Sequence, residues 1–244
     1  MNRLMKAEWY RVKNSNNIVK WLILISAVLV VIPLADLKLK TASEYMIKIT
    51  EDVVIFIPFF LIIFSSVILG FMYLNKTALY EVMAGNKINH IIMSKVTVDA
   101  TFISVVVCVS YIVVYVIMGV IQGWGNMDKI GIRFLLFFVI LYHVSSCGIL
   151  IMMSFRQMSG AVVAFLKVNL LDTGIMVWIE IIFKDEISKS VYEKFMNWFI
   201  TNQITWVLSR KITCYLAAEI ILSLVVEFVF WYAIAYYGMK KKKY

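Results

Sequence analysis

The sequence predicts an all-α membrane protein with six transmembrane helices. Of its 244 residues, 62% are hydrophobic and only 16% are charged, and the mean hydropathy is +0.86. A water-soluble fold cannot bury that much apolar surface. Apolar stretches of roughly 20 residues, long enough to cross about 30 Å of hydrocarbon, also recur along the chain. They lie at residues 18–35, 53–74, 100–121, 132–155, 160–183 and 212–238.

Residues 1–17, ahead of the first span, predict an amphipathic helix. Apolar residues recur there at helical spacing, while basic residues fall mostly on the opposite side, a pattern typical of a helix in the headgroup plane. Glu8 lies on the apolar side, which indicates a specific partner. A plain positively charged anchor is the alternative. The candidate residues of this helix are Glu8, Trp9, Arg11 and Lys13.

A polar insert, residues 75–99, separates the second and third spans. Gly85 and Asn86 predict a break in the helix that extends from the second span, and isoleucines then recur on one helical face. The insert is therefore expected to dock a soluble partner, with an ordinary cytosolic loop as the alternative. Its candidate residues are Glu81, Gly85, Asn86, Lys87, Ile88, Ile91 and Lys95.

The distribution of basic residues predicts the orientation. Lysines and arginines are frequent in the N-terminal segment, in the insert and in the tail at 240–243. The positive-inside rule places these three regions in the cytoplasm. The formal net charge of +9 does not indicate a nucleic-acid partner, because the basic residues flank spans and no soluble stretch is large enough for a reading domain. An anionic lipid leaflet accounts for them.

Two motifs, together with the six spans, resemble permeases of type-2 ATP-binding-cassette exporters over essentially the whole chain. They are Ala7-Glu8-Trp9-Tyr10-Arg11-Val12-Lys13 and Glu81-x-x-x-Gly85-Asn86-Lys87-x-x-x-Ile91-x-x-Ser94-Lys95. The resemblance implies that residues 1–17 form an interfacial elbow helix. It also implies that 75–99 contains a coupling helix seated in a groove of a separate ATPase subunit. The family usually has an arginine at the position of Lys87, so the forked guanidinium is missing here.

Small size and a composition rich in lysine and aromatic residues are similar to bacterial permeases that move bacteriocins or lantibiotics. This implies a bacterial cell membrane, a second permease subunit, identical or paralogous, and a peptide or lipid-like substrate. The chain contains no Gly-Lys dipeptide, so it cannot form a Walker-type phosphate loop. We therefore expect a non-catalytic permease without a cofactor of its own, with Mg-ATP bound by the partner chain.

Polar groups inside two spans are the candidates for a substrate path or a subunit interface. Carboxylates at such depth are costly in lipid, so they should face a cavity, an interface or a basic partner. An acidic lining favours a cationic or amphipathic cargo such as a basic peptide. The alternative is that Lys167, Arg156 or protonation satisfies these groups and they only hold helices together. The candidates are Asn169, Asp172 and Glu180 on the fifth span and Glu219, Ser223 and Glu227 on the sixth.

The sequence leaves two rival functions open. A proton-coupled secondary transporter would use the acids as proton carriers. An intramembrane cysteine peptidase would use His143 and Cys147, which are one helical turn apart.

The three cysteines have no paired spacing, so neither a disulfide framework nor a zinc site is expected. The aromatic-rich connection 184–211 is expected to be an external re-entrant or interfacial segment.

Overall fold

The structure of the chain is a computed structural model that describes residues 1–14, 41–54, 56–74, 81–155 and 196–241, together with a few residues near 20–27 and 162–181. Over 67–74 the description is of the backbone. The helices are α1 (Asn2–Asn14), α2 (Ala42–Val53), α3 (Phe56–Leu74), α4 (Ile88–Gln122), α5 (Ile130–Ser154), α6 (Ile200–Ser209) and α7 (Cys214–Lys241). These described ranges contain no strand.

Among the described residues, three helices are long and apolar enough to cross a membrane, namely α4, α5 and α7. They contain most of the third, fourth and sixth predicted spans. Helix α3 covers most of the second predicted span. The first, at 18–35, lies almost wholly outside the described residues, and the fifth, at 160–183, is described only in short pieces. The described part of the chain is thus an all-α membrane protein, and the total of six spans stays a prediction.

Helix α4 begins twelve residues before the predicted start of the third span. It consists of an α-helical part at Ile88–Lys95, a π-helical turn at Val96–Ala100 and an α-helical part at Thr101–Gln122. No glycine or proline occurs between 88 and 100 to interrupt the hydrogen bonding. The second half of the predicted insert is therefore continuous with the third span.

Helix α5 lies at the centre of the bundle and packs against α3, α4, α6 and α7. At one end of the bundle, α1, residues 81–95 and the C-terminal part of α7 share an apolar cluster that includes Leu4, Ile91 and Met239. At the opposite end, α6 packs on the beginning of α5, and α2 packs on α6 and α4. The two ends of the described chain therefore lie at the same end of the bundle.

Helix α6 corresponds to the described part of the predicted re-entrant segment 184–211. Most of its side chains are buried against α2 and α5, so this part of the segment belongs to the bundle core. Residues 184–195 lie outside the described part of the chain.

Arg133 of α5 fixes the C-terminal end of α6. Its guanidinium donates hydrogen bonds to the carbonyl oxygens of Val207 (2.8 Å), Leu208 (3.0 Å) and Arg210 (2.9 Å). The last carbonyls of a helix have no partner within the helix, and a cation there is favoured by the helix dipole. This one side chain, 6% exposed, therefore satisfies several backbone groups that would otherwise be buried without partners.

We expect Arg133→Met to destabilise the protein by roughly 3 kcal/mol, because it removes the donor to these carbonyls. Thermal unfolding in detergent, followed by size-exclusion chromatography, measures the loss. Arg3→Met is the matched control, because Arg3 is exposed on α1. If the two variants had the same melting temperature, Arg133 would not be what holds the end of α6 in place.

Candidate functional site

Five charged residues meet at the end of the bundle that contains α1. We call them the ionic network: Glu8 and Arg11 of α1, Glu81 before α4, and Lys95 and Asp99 of α4. The side chains of Lys95 and Asp99 are fully buried, and that of Glu8 is 5% exposed. Buried charges need partners, so this cluster determines how its three segments are arranged.

Lys95 and Glu8 lie at the centre of the network. The Lys95 ammonium donates to Glu8 Oε1 and to Glu81 Oε1, the latter at 3.0 Å. Glu8 Oε2 accepts a hydrogen bond from Arg11 Nε at 2.8 Å. Arg11 then reaches α4, because its terminal nitrogen lies 3.0 Å from each carboxylate oxygen of Asp99. Helix α1 is thereby joined to α4 at two points.

The local sequence explains why these groups converge. Glu8 and Arg11 are three residues apart on α1, and Lys95 and Asp99 are four apart on α4, so each pair occupies one helical face. Apolar residues packed around the same end, such as Ile91 and Val96, exclude water from the cluster. In such surroundings an ion pair is electrostatically stronger than at a surface.

The two glutamates respond in opposite directions to this environment. Burial favours a higher pKa for Glu8, but Lys95 and Arg11 outweigh it and hold the pKa of that carboxyl below its ordinary value. Burial raises the pKa of Glu81 above its ordinary value, and the attraction of Lys95 offsets only part of this rise. Oxygen Oε2 of Glu81 is buried without a hydrogen-bond partner within the described residues. Glu8 is thus the better-stabilised anion.

Between Glu81 and α4 the backbone reverses in an exposed turn. We define residues 83–87 as the Gly85 turn. Gly85 has a φ of +80°, which other residues rarely adopt, and its amide donates to the Val82 carbonyl at 2.9 Å. The side-chain amide of Asn86 donates to the Glu81 carbonyl at 3.0 Å. Lys87 precedes the first residue of α4 as its N-cap.

The turn divides the predicted docking residues into exposed and buried groups. Gly85 and Lys87 are exposed, as is Met83, while Asn86 and Ile88 are partly buried. Ile91 and Lys95 are fully buried, so they cannot meet a soluble partner directly. The sequence could not show that they are buried, because an isoleucine face and a lysine at a span end have the same pattern whether they pack inside or outside the chain. Their part in coupling stays a prediction.

The candidate residues of α1 are similarly divided. Trp9 is about half exposed and meets Phe102 edge-on, with 6.4 Å between ring centroids. Lys13 is exposed. The partner expected for Glu8 lies within the chain, at Lys95 and Arg11.

Asp99 of α4 belongs to the ionic network but was not among the site residues predicted from the sequence. A carboxylate four residues after a lysine at the edge of a span is nevertheless a recognisable signal.

A second polar group lies between α5 and α7. We call His143, Cys147, Lys167 and Glu227 the His143 cluster. Glu227 Oε2 lies 3.0 Å from His143 Nε2, and its other oxygen pairs with the Lys167 ammonium. The thiol sulfur of Cys147 lies 3.4 Å from the same His143 nitrogen. In a peptidase triad the acid and the nucleophile bind different imidazole nitrogens, so this arrangement does not favour catalysis.

The other predicted polar residues of the sixth span bond to the segment around α6. Asn197 Nδ2 donates to Glu219 Oε2 at 2.7 Å, and Gln203 Nε2 donates to the Ser223 hydroxyl oxygen at 2.8 Å. Such hydrogen bonds hold helices together in a membrane. Asn169, Asp172 and Glu180 of the fifth span lie outside the described residues.

The sequence matches no protein-family model and no curated protein sequence.

We expect Lys95→Met to destabilise the protein by about 3–5 kcal/mol, because it leaves buried carboxylates without their cation. Thermal unfolding in detergent micelles measures the effect. Lys87→Met is the matched control, since Lys87 lies in the same segment and is exposed. If Lys95→Met and Lys87→Met had the same melting temperature, the ionic network would not be what joins the segments.

The opposite pKa directions predict opposite effects of two isosteric changes. The lowered pKa of Glu8 means that its contribution to stability is present above pH 4.5, its ordinary value, and disappears as the pH falls through the lowered one. The raised pKa of Glu81 means that its contribution is present below pH 4.5 and disappears as the pH rises. At neutral pH we therefore expect Glu8→Gln to lower the melting temperature and Glu81→Gln to leave it unchanged or raise it. The reverse order would contradict this assignment of the two pKa shifts.

Proposed function

We propose that the chain is the permease subunit of an ATP-driven exporter, operated by a separate ABC ATPase that docks on the Gly85 turn. One observation carries this proposal. The exposed Gly85 turn leads directly into α4, a helix long enough to cross a membrane. The buried Lys95 of α4 pairs with Glu81, just before the turn, and with Glu8 of α1. A docking element must be both accessible to its partner and stiffly joined to the part that moves. The Gly85 turn and the ionic network have these two properties.

The ionic network suggests how motion of the ATPase reaches the membrane. A displacement of the Gly85 turn acts on Glu81 and on the beginning of α4, which are held together by the Glu81–Lys95 contact of 3.0 Å. Glu8 binds the same Lys95 ammonium, so α1 moves with them. Packed elements of this kind shift as rigid bodies. ATP hydrolysis in the partner would therefore tilt α1 and α4 together.

The proposal includes a bacterial cell membrane with both termini in the cytoplasm, as the basic flanks and the resemblance imply. In support, α1 and the lysines that end α7 belong to the same end of the bundle as the Gly85 turn. It also includes a second permease subunit, identical or paralogous. In support, α7 leaves apolar residues exposed along its length, such as Leu222, Val229 and Phe230, which lipid or another subunit can cover.

The proposed cargo is a hydrophobic or cationic peptide-like molecule, exported as an antimicrobial peptide or removed from the membrane in self-protection. Among the candidate acids that the structure describes, Glu219 is bonded to Asn197 and Glu227 to His143 and Lys167. A cationic cargo that used Glu227 would have to displace the Lys167 ammonium. The apolar helix faces are available without any displacement, which favours the hydrophobic part of such a molecule.

A proton-coupled transporter is the second candidate, and the His143 cluster is the observation that favours it. Histidine and glutamate side chains in contact between two spans are the components of a proton relay. This candidate needs no ATPase, so the test of the first proposal also separates the two.

We expect a photo-crosslinking amino acid at position 87 to capture an ATPase with a Walker-type phosphate loop in native membranes. Mass spectrometry of the adduct identifies the partner. The matched control is the same crosslinker at Lys129, an exposed lysine at the opposite end of the bundle, which should capture no ATPase. The Lys87→Glu variant should also recover less ATPase on purification, because it reverses the charge of the docking turn.

Two results would contradict the proposal. One is the absence of an ATPase adduct at position 87 in membranes where the chain is folded. The other is labelling of position 87 by a membrane-impermeant reagent added outside intact cells.

A further inference from the structure

Three side chains of the His143 cluster present different metal-binding atoms to one point between α5 and α7. Nitrogen Nε2 of His143, sulfur Sγ of Cys147 and one carboxylate oxygen of Glu227 all lie within 4.8 Å of one another. His143 and Cys147 are four residues apart on α5, so they project from one face. Glu227 is supplied by α7, which packs closely on α5.

The separations between these atoms are close to those that a tetrahedral ion requires. Zinc bonds of about 2.0–2.3 Å set neighbouring ligand atoms roughly 3.3–3.6 Å apart. His143 Nε2 lies 3.4 Å from Cys147 Sγ and 3.0 Å from Glu227 Oε2. The thiol therefore already has the required spacing from the imidazole nitrogen, the carboxylate oxygen lies slightly closer to that nitrogen than required, and sulfur and carboxylate lie within 4.8 Å of each other.

We propose that His143, Cys147 and Glu227 bind a divalent transition-metal ion of the zinc class. One imidazole, one thiolate and one carboxylate suit Zn²⁺ or Co²⁺, whereas Ca²⁺ and Mg²⁺ prefer oxygen ligands. The three donors leave a fourth tetrahedral position for water or another ligand. The inference is independent of the proposed function and does not require an ATPase.

The three ligands balance the charge of a divalent ion. Binding replaces the thiol proton of Cys147, which is released to solvent, and forms bonds from the metal to sulfur, nitrogen and oxygen. A divalent ion, one thiolate and one carboxylate sum to zero charge, and the Lys167 ammonium paired with Glu227 adds one positive charge. His143 and Cys147 are buried, and the side chain of Glu227 is 23% exposed. The sequence prediction of no zinc site considered cysteine spacing and could not include an acid 84 residues from His143.

Lys167 gives the proposal a specific consequence. Its ammonium pairs with the Glu227 oxygen that does not bind His143. The added positive charge opposes a divalent ion, so Lys167 should weaken metal binding. A purely structural hydrogen-bonded cluster has no reason to bind metal more tightly when Lys167 is removed.

Cobalt binding tests the proposal, because a cysteine thiolate gives Co²⁺ a distinct charge-transfer absorption. Purified full-length protein in detergent is treated with a chelator, returned to metal-free buffer and titrated with CoCl₂. We expect one Co²⁺ per chain, with a thiolate band that disappears on addition of ZnCl₂. Cys147→Ser should lose the band. Cys108→Ser is the matched control, since Cys108 is another buried intramembrane cysteine, and it should retain the band.

The remaining ligands are tested by affinity. His143→Gln and Glu227→Gln should each weaken Co²⁺ binding by more than the roughly 10–100-fold typical of changes around a metal site's ligands, and Lys167→Met should tighten it. Absence of the thiolate band in the unmodified protein, or its persistence in Cys147→Ser, would overturn the proposal.

Discussion

The burial of Lys95 is the constraint on which this end of the molecule depends. An ammonium group cannot remain inside an apolar cluster without anions, and no carboxylate on its own turn of α4 bonds it. Glu8 of α1 and Glu81 before the Gly85 turn supply those anions. The N-terminal helix, the turn and the membrane-long helix α4 are thereby required to meet at one point, and Arg11 extends the contact to Asp99.

The two ends of the bundle are stabilised by different interactions. At the end with α1, charged side chains join segments far apart in sequence. At the opposite end, Arg133 donates to backbone carbonyls at the end of α6, and α2 begins with a hydrogen bond from the Ala42 amide to the Gly123 carbonyl at 2.9 Å. Each end exposes a connection, the Gly85 turn at the first and residues 123–129 at the second. The ionic network joins the Gly85 turn to α1 and α4, which is the property that the proposed docking function requires.

Much of the described bundle could be predicted from the sequence, because apolar length alone identifies a membrane helix. The predicted ranges 132–155 and 212–238 agree with α5 and α7 to within three residues. Contacts between distant residues could not be predicted in this way. Glu8 on an apolar face indicated a partner, but nothing local identified Lys95, 87 residues away. Lys95 itself had the pattern of a lysine at the cytoplasmic end of a span, and only tertiary packing shows it to be buried.

Buried charges clamp α1 to α4, so α1 does not lie loosely in the headgroup region. Amide hydrogen exchange of the protein in lipid nanodiscs measures this directly, because exchange reports local opening. We expect Asn2–Asn14 to exchange as slowly as Ile88–Lys95, and Lys95→Met to accelerate exchange in α1 while the centre of α5 is unaffected. Fast exchange of α1 in the unmodified protein, or exchange that does not change in the variant, would contradict it.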